Sequence, residues 1–118
     1  MKFDFITIGG LTEDVVFFSN DGMLIDNPGD LLKQKLLAFE QGAKINISQS
    51  ETGFGGGASN AAVNFSNLGF KVACLGRLGA DERSLRILEN LKRHKVDCQN
   101  IDIDKKQESG FSFVLNNK

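Results

Sequence analysis

The 118-residue sequence has little proline (one residue), one histidine, two cysteines and no excess of charge of either sign: 14 Lys and Arg stand against 15 Asp and Glu, for a net charge of −1. That balance removes the general electrostatic reason to expect nucleic acid or an acidic membrane surface as a partner. The one basic cluster, Lys92-Arg93-His94-Lys95, falls at the end of an expected helix, where the helix dipole favours cations. Cys74 and Cys98 form no CxxC motif and have no nearby histidine pair, which argues against a metal site. Cys74, inside the apolar run VACLG, reads as a small core residue in a reducing compartment. No segment reaches the roughly 18 apolar residues that a membrane helix needs. The N-terminus, MKFDFITIGG, carries a charge within it and no small-residue cleavage site, unlike a signal peptide. The expectation is a cytoplasmic protein without membrane or nucleic-acid partners. Internal repeats and low-complexity linkers are also missing, and the length is that of one small domain with one two-layered core.

What is present is an alternation of strand and helix signals. Residues 3–8 form a β-rich run ending at Gly9-Gly10 and read as a first, mostly buried strand. Residues 15–25 read as a hairpin, with Ser19-Asn20-Asp21-Gly22 as its turn. After Asn27-Pro28-Gly29, Asp30 is placed to cap a short helix over 31–39, with Leu32, Leu36 and Phe39 at helical spacing. Residues 44–50 alternate apolar and polar, as in a strand with one wet face. A helix is expected from Ala58, with Ala61, Ala62, Phe65 and Leu68 on one side and Gly69 just past its end. A buried strand over 70–76 follows. Asp81 then caps a helix through Lys95 with Leu85, Leu88 and Leu91 inward, and strands are expected over 96–104 and from Phe111. Strand, helix, strand, helix, strand from 44 to 104 is the pattern of a parallel sheet with crossover helices. The alternating strands at 45–50 and 111–115 and the hairpin at 15–25 do not fit a sheet covered by helices on both sides and suggest a small antiparallel flap with one solvated face.

The stretch TGFGGGASNAAVNFSNLG at 52–69 has glycines dense enough to let backbone N–H groups approach a ligand, next to a helix N-terminus. A Walker loop would need a lysine before its Ser or Thr, and Ala58-Ser59-Asn60 has none. A dinucleotide fingerprint would need an acidic residue ending a strand about 20 positions on, and Asp81 is better explained as a helix cap. Asn60, in the first turn of the helix, both donates and accepts, which suits a hydroxyl better than a phosphate; it also suits a plain helix-start residue. Asp14, shortly after the first strand, offers a carboxylate able to accept two hydroxyl hydrogen bonds from a polyol, unless it is an ordinary loop acid.

The series Gly9-Gly10-Leu11-Thr12-Glu13-Asp14, Gly55-Gly56-Gly57-Ala58-Ser59-Asn60-Ala61-Ala62, Leu68-Gly69 and Gly76-Arg77-Leu78-Gly79-Ala80-Asp81, continued by Val96-Asp97 and Ser109-Gly110-Phe111-Ser112, resembles the ribokinase-like (PfkB) sugar kinase family over essentially the whole chain. The resemblance implies an α/β fold: part of a ribokinase-like αβα parallel sheet with a small β-sheet lid, truncated relative to the family. Residues 1–118 would be its N-terminal part, with lid segments at about 15–25, 44–50 and 109–116. It implies an ATP-dependent kinase acting on a hydroxymethyl group of a sugar or nucleoside. Aligned on GGxxxN, the sugar-binding glycines and asparagine fall on Gly55, Gly56 and Asn60; the sugar-binding acid falls on Asp14, and Thr12 holds a position that often contributes a contact. Lids in this family often pair between subunits, so a homodimer through the lid is implied as well.

Family members run to roughly twice this length or more, and the remainder holds a GAGD-like motif with the catalytic base, the ATP pocket and the acidic motif associated with Mg²⁺. No GAGD occurs in 1–118, so the resemblance puts no catalytic residue and no metal ligand in this chain and makes the chain alone inactive. Two readings stay open: the sugar-binding part of a longer kinase, and a non-catalytic sugar-binding or assembly module. A small Rossmann nucleotide binder is a third.

Overall fold

The computed structural model describes residues 2–117. Its elements follow in the order β1 (Phe5–Ile8), β2 (Thr12–Ser19), β3 (Met23–Asp26), β4 (Lys35–Ala38), β5 (Gln49–Gly55), α1 (Gly57–Asn67), β6 (Val72–Gly79), α2 (Glu82–Arg93), β7 (Ile101–Asp104) and β8 (Gly110–Asn117). They belong to two compact units, one made of the residues up to 14 together with 52–112, the other of 15–51 together with the residues from 113 on. Strands β5, β2 and β8 lie side by side in that order. Among the described residues no helix is long and apolar enough to cross a membrane.

The first unit contains a parallel sheet in the order β1-β6-β7, with Phe5 opposite Val72, Thr7 opposite Cys74 and Leu78 opposite Ile103. Side chains alternate along a strand, so Phe5, Thr7, Val72, Cys74 and Leu78 share one face. That face carries the helices. Thr7 Oγ1 donates to the Ala58 carbonyl of α1 at 2.9 Å, and the Phe5 ring stacks on Phe65 with centroids 4.1 Å apart. Ala58 and Ala62 keep α1 slim enough to lie close on β1 and β6, while Ile87 and Leu91 of α2 pack into the same core with Leu11, Leu78 and Val96. Asp81 caps α2 by accepting from the Ser84 N–H at 2.8 Å, Lys92 and Arg93 occupy its last turn, and Gly69 takes the left-handed backbone that closes α1.

The parallel sheet is thus as expected, but its membership is not. The expected alternation starts at 44, gives 45–50 to the flap as well and leaves out the strand at 3–8; the partner of β6 is β1. Nor is β1 mostly buried: Ile6 is 58% and Ile8 76% exposed, on the face opposite the helices. On that same face Arg77 pairs with Asp102 at 2.8 Å in water. Helix spacing also misplaced Leu85 and Leu68, which point outward at 66% and 72% exposure, while Leu91 is buried as expected and Ile87 is buried beside it.

In the second unit, β3 pairs antiparallel with β4, with Leu24 opposite Leu37 and Ile25 opposite Leu36. The hairpin expected over 15–25 is therefore not formed, because β3 turns to β4 while β2 lies between β5 and β8. The helix expected over 31–39 is absent. Asp30 does act as a cap, accepting from the Leu32 N–H at 2.9 Å, but it closes only a turn, and Leu31 and Leu32 are exposed. A short isolated helix is marginal without a surface to pack on, and Leu36 and Leu37 gain cross-strand partners as a strand. The strand expected over 44–50 starts only at Gln49. Before it, Asn46 is held by side chains instead of a ladder: its N–H donates to Asp21 Oδ2 at 2.8 Å and its carbonyl accepts from Ser19 Oγ at 2.7 Å.

Candidate functional site

Strand β5 runs to Gly55, so Gly53 and Gly55 are strand residues rather than loop, and Gly56 makes the turn into α1. Gly56 has φ +94°, and a Cβ there would run into the Gly10 carbonyl. Only glycine lets the turn after β1 and the turn before α1 nest against one another in this way. Ser59 N–H donates to the Gly10 carbonyl at 3.4 Å, tying the start of α1 to the entry of β2.

Beyond Gly10, strand β2 splits its residues between two environments. Leu11 and Glu13 are buried at 3% and 4% exposure, whereas Thr12 and Asp14 are half-buried. Gly55 on the neighbouring strand brings the second pair into register: a Cβ at 55 would collide with Asp14 Oδ2 and would come within 3.1 Å of Thr12 Oγ1. From the other neighbour, β8, Ser112 Oγ donates to Asp14 Oδ1 at 2.6 Å. The result is a carboxylate with one oxygen oriented by a serine and the other lying over a bare glycine, next to a threonine hydroxyl. An ionised carboxylate is acceptor-only, so it selects ligands with O–H or N–H donors, and such charge-assisted bonds are the stronger kind.

Thr12, Asp14 and Gly55 are therefore brought together, and Gly56 is adjacent in the chain. Asn60 is not joined to them. It is exposed in the first turn of α1, its side chain makes no hydrogen bond among the described residues, and it lines a cavity of about 230 Å³ with Phe54, Ser59, Val63, Asn64, Asn90 and His94. Ser112 was not singled out by sequence reasoning. Its signals were its place in the motif series and the alternation of β8, which give a position and a face but not a partner 98 residues away.

A second group that sequence reasoning missed lies on the reverse side of β2. Glu13 receives two hydrogen bonds from Arg86 of α2, Nε to Oε2 at 2.6 Å and Nη2 to Oε1 at 2.9 Å. The Arg86 hydrogen bond holds the Glu13 carboxyl below its ordinary range against the opposing effect of burial, and Arg83 adds to it. Asp81 is likewise held low, chiefly by the Ser109 backbone N–H at 2.8 Å and by the Ser109 hydroxyl at 2.7 Å.

The family profile described as pfkB family carbohydrate kinase matches residues 29–118. An uncharacterized sugar kinase of Pyrococcus horikoshii is 32% identical over 91 residues, which cover 77% of this chain and 29% of that protein. Its crystal structure superimposes with a TM-score of 0.61 over 93% of this chain and 31% of that one, at 28% identity, and a structure of the same protein holds ATP. A 2-dehydro-3-deoxygluconokinase of Bacillus subtilis is 30% identical over 81 residues, 69% of this chain and 25% of its own. A nucleoside kinase of Methanocaldococcus jannaschii shares the fold, with a TM-score of 0.72 at 18% identity over 96% of this chain and 32% of that structure. The chain thus spans less than a third of the length of each of these relatives.

Proposed function

The chain belongs to the pfkB family of carbohydrate kinases, and from that premise we propose that it supplies the sugar-binding face of an ATP-dependent kinase that phosphorylates a hydroxymethyl group of a sugar or nucleoside. The observation that carries this reading is the Asp14 carboxylate, oriented by Ser112 and left open over Gly55 beside Thr12. Two vicinal hydroxyls are the ligand groups that such a carboxylate takes best, each bond contributing about 1.5–3 kcal/mol. Gly55 and Gly56 admit the ligand close to the backbone, and Asn60 serves as a further polar contact when a sugar is bound. Residues 15–25, 44–50 and 109–116 are assigned to a lid whose closure excludes water from the transferring phosphoryl group. ATP and Mg²⁺ are requirements of the whole kinase, and none of the five binding residues is assigned to them. The 118 residues alone are expected to transfer no phosphoryl group.

The test is Asp14→Ala in the full-length protein, assayed against ribose, fructose, ketodeoxygluconate and nucleosides. Sugar affinity is expected to fall at least tenfold, the loss of one charge-assisted hydrogen bond, with the KM for ATP within twofold of the parent. Equal losses for both ligands would assign Asp14 a folding role and overturn the reading. Sugar binding by a parent that transfers no phosphate from ATP would select the non-catalytic module instead.

A further inference from the structure

The reverse side of β2 carries a brace. Glu13 is 4% exposed, and the groups facing it are Arg86, Arg83 and Asp81. Arg86 grips both carboxylate oxygens, and Arg83, three residues earlier on the same helix, brings its Nε to 3.9 Å from Oε1. Arg83 also reaches β8. Its Nη1 donates to the Ser109 carbonyl at 2.9 Å, and its guanidinium lies 4.3 Å from the centroid of the Phe111 ring. One turn of α2 therefore holds β2 at Glu13 and β8 at 109–111, immediately beside Asp14 and Ser112, the two residues that meet on the ligand side.

We propose that the Glu13–Arg86 pair, with Arg83, is a positioning device that sets the rotation of β2 and hence the aim of Thr12 and Asp14. The inference rests on the sugar-site reading of Asp14 for its functional consequence, but not for its structural one. A strand places successive side chains on opposite faces, so a bidentate grip on residue 13 fixes the direction of residues 12 and 14. A fork-on-carboxylate geometry resists rotation in a way that a single point charge does not. Burial sharpens the effect, since Glu13 has no water to turn to if Arg86 is lost. Neither arginine touches the ligand side, so these are positioning and not catalytic residues.

Hydrogen–deuterium exchange by mass spectrometry on the full-length protein separates this role from a general contribution to stability. The variants are Glu13→Gln and Arg86→Gln, with Arg86→Lys as the milder change that keeps the charge but loses the fork. Peptides over 10–16 and 109–115 are expected to exchange at least tenfold faster, while the peptide over 70–79 in the core strand stays within twofold; Arg86→Lys should fall between. In a parent that phosphorylates a sugar, the same variants should raise the KM for that sugar at least fivefold with the KM for ATP unchanged. Uniform acceleration across all peptides, or none at 10–16, would overturn the proposal. Loss of sugar activity in the parent would strike the kinase reading alone, and the exchange pattern would still decide the brace.

Discussion

Replacing Gly55 by alanine separates the shape of the site from the stability of the fold. The backbone at 55 is not in the left-handed region, unlike Gly56, so alanine is tolerated locally and even gains about 0.4–1 kcal/mol from the unfolded chain. The added methyl, however, occupies the space of Asp14 Oδ2 and lies 3.4 Å from Asp14 Cγ and 3.1 Å from Thr12 Oγ1. Asp14 is half-buried, and its carboxylate turns on two side-chain torsions, so the collision is expected to resolve by rotating the carboxylate, not by unfolding. Rotation breaks the 2.6 Å bond from Ser112 and removes the open oxygen over residue 55. One charge-assisted bond of about 1.5–3 kcal/mol corresponds to roughly a 10- to 150-fold loss of sugar affinity. Calorimetric titration of the full-length protein with its sugar and with ATP, beside a thermal melt, reads all three quantities. We expect weakened sugar binding, unchanged ATP binding and a melting temperature within a few degrees. Sugar affinity equal to the parent's, in a folded variant, would refute the placement of the ligand against Asp14 and Gly55.

Acid stability follows from Glu13 and Asp81, both held below their ordinary values of 4.5 and 3.8. Each folded carboxylate binds its proton less readily than the unfolded one, so the stability it adds is complete above the unfolded value and is lost as pH falls through the folded one. The urea midpoint should therefore hold between pH 7 and 5 and drop below about pH 4.5, with a shallower drop in Asp81→Asn; a flat profile to pH 3 would contradict the linkage. Burial raises both thiols, Cys98 to about 11, so neither should react readily with a disulfide reagent at pH 8 until urea is added, and fast native labelling at that pH would be the contrary result.

The parts of this molecule that could be read from sequence are those in which a local rule decides. Asp81 caps its helix, Gly69 ends α1, and the parallel sheet is announced by buried strands between amphipathic helices. The readings that failed depend on what is absent from the local window. Residues 31–39 have helical spacing, but the partner that settles their state is β3, and pairing Leu36 and Leu37 with Ile25 and Leu24 makes them a strand. The hairpin over 15–25 failed for the same reason, since two apolar runs around a turn do not specify which strands they join. Ile6 and Ile8 read as core because they are apolar, whereas burial depends on which face of the sheet receives helices.

The site shows the same division at the scale of a single strand. Thr12 and Asp14 are singled out through a motif; Glu13 and Ser112 stand in the same motif series, but their partners, like the roles of Arg83 and Arg86, are not legible, because each contact spans a gap of many residues. These contacts set how the Asp14 carboxylate is presented, on which its proposed role as a ligand group rests. A carboxylate at the surface of a free loop has many orientations, and ordering it on binding would cost affinity. Here Ser112 fixes one oxygen, Gly55 leaves the other uncovered, and the grip of α2 on Glu13 fixes the strand between them. The glycine-rich stretch is therefore less a cradle than a clearance: its role at Gly55 is to leave room for an acid supplied by another strand. On the proposed reading the stretch needs neither a lysine nor the anion-binding loop of a nucleotide site, since the charge that Gly55 accommodates is the protein's own.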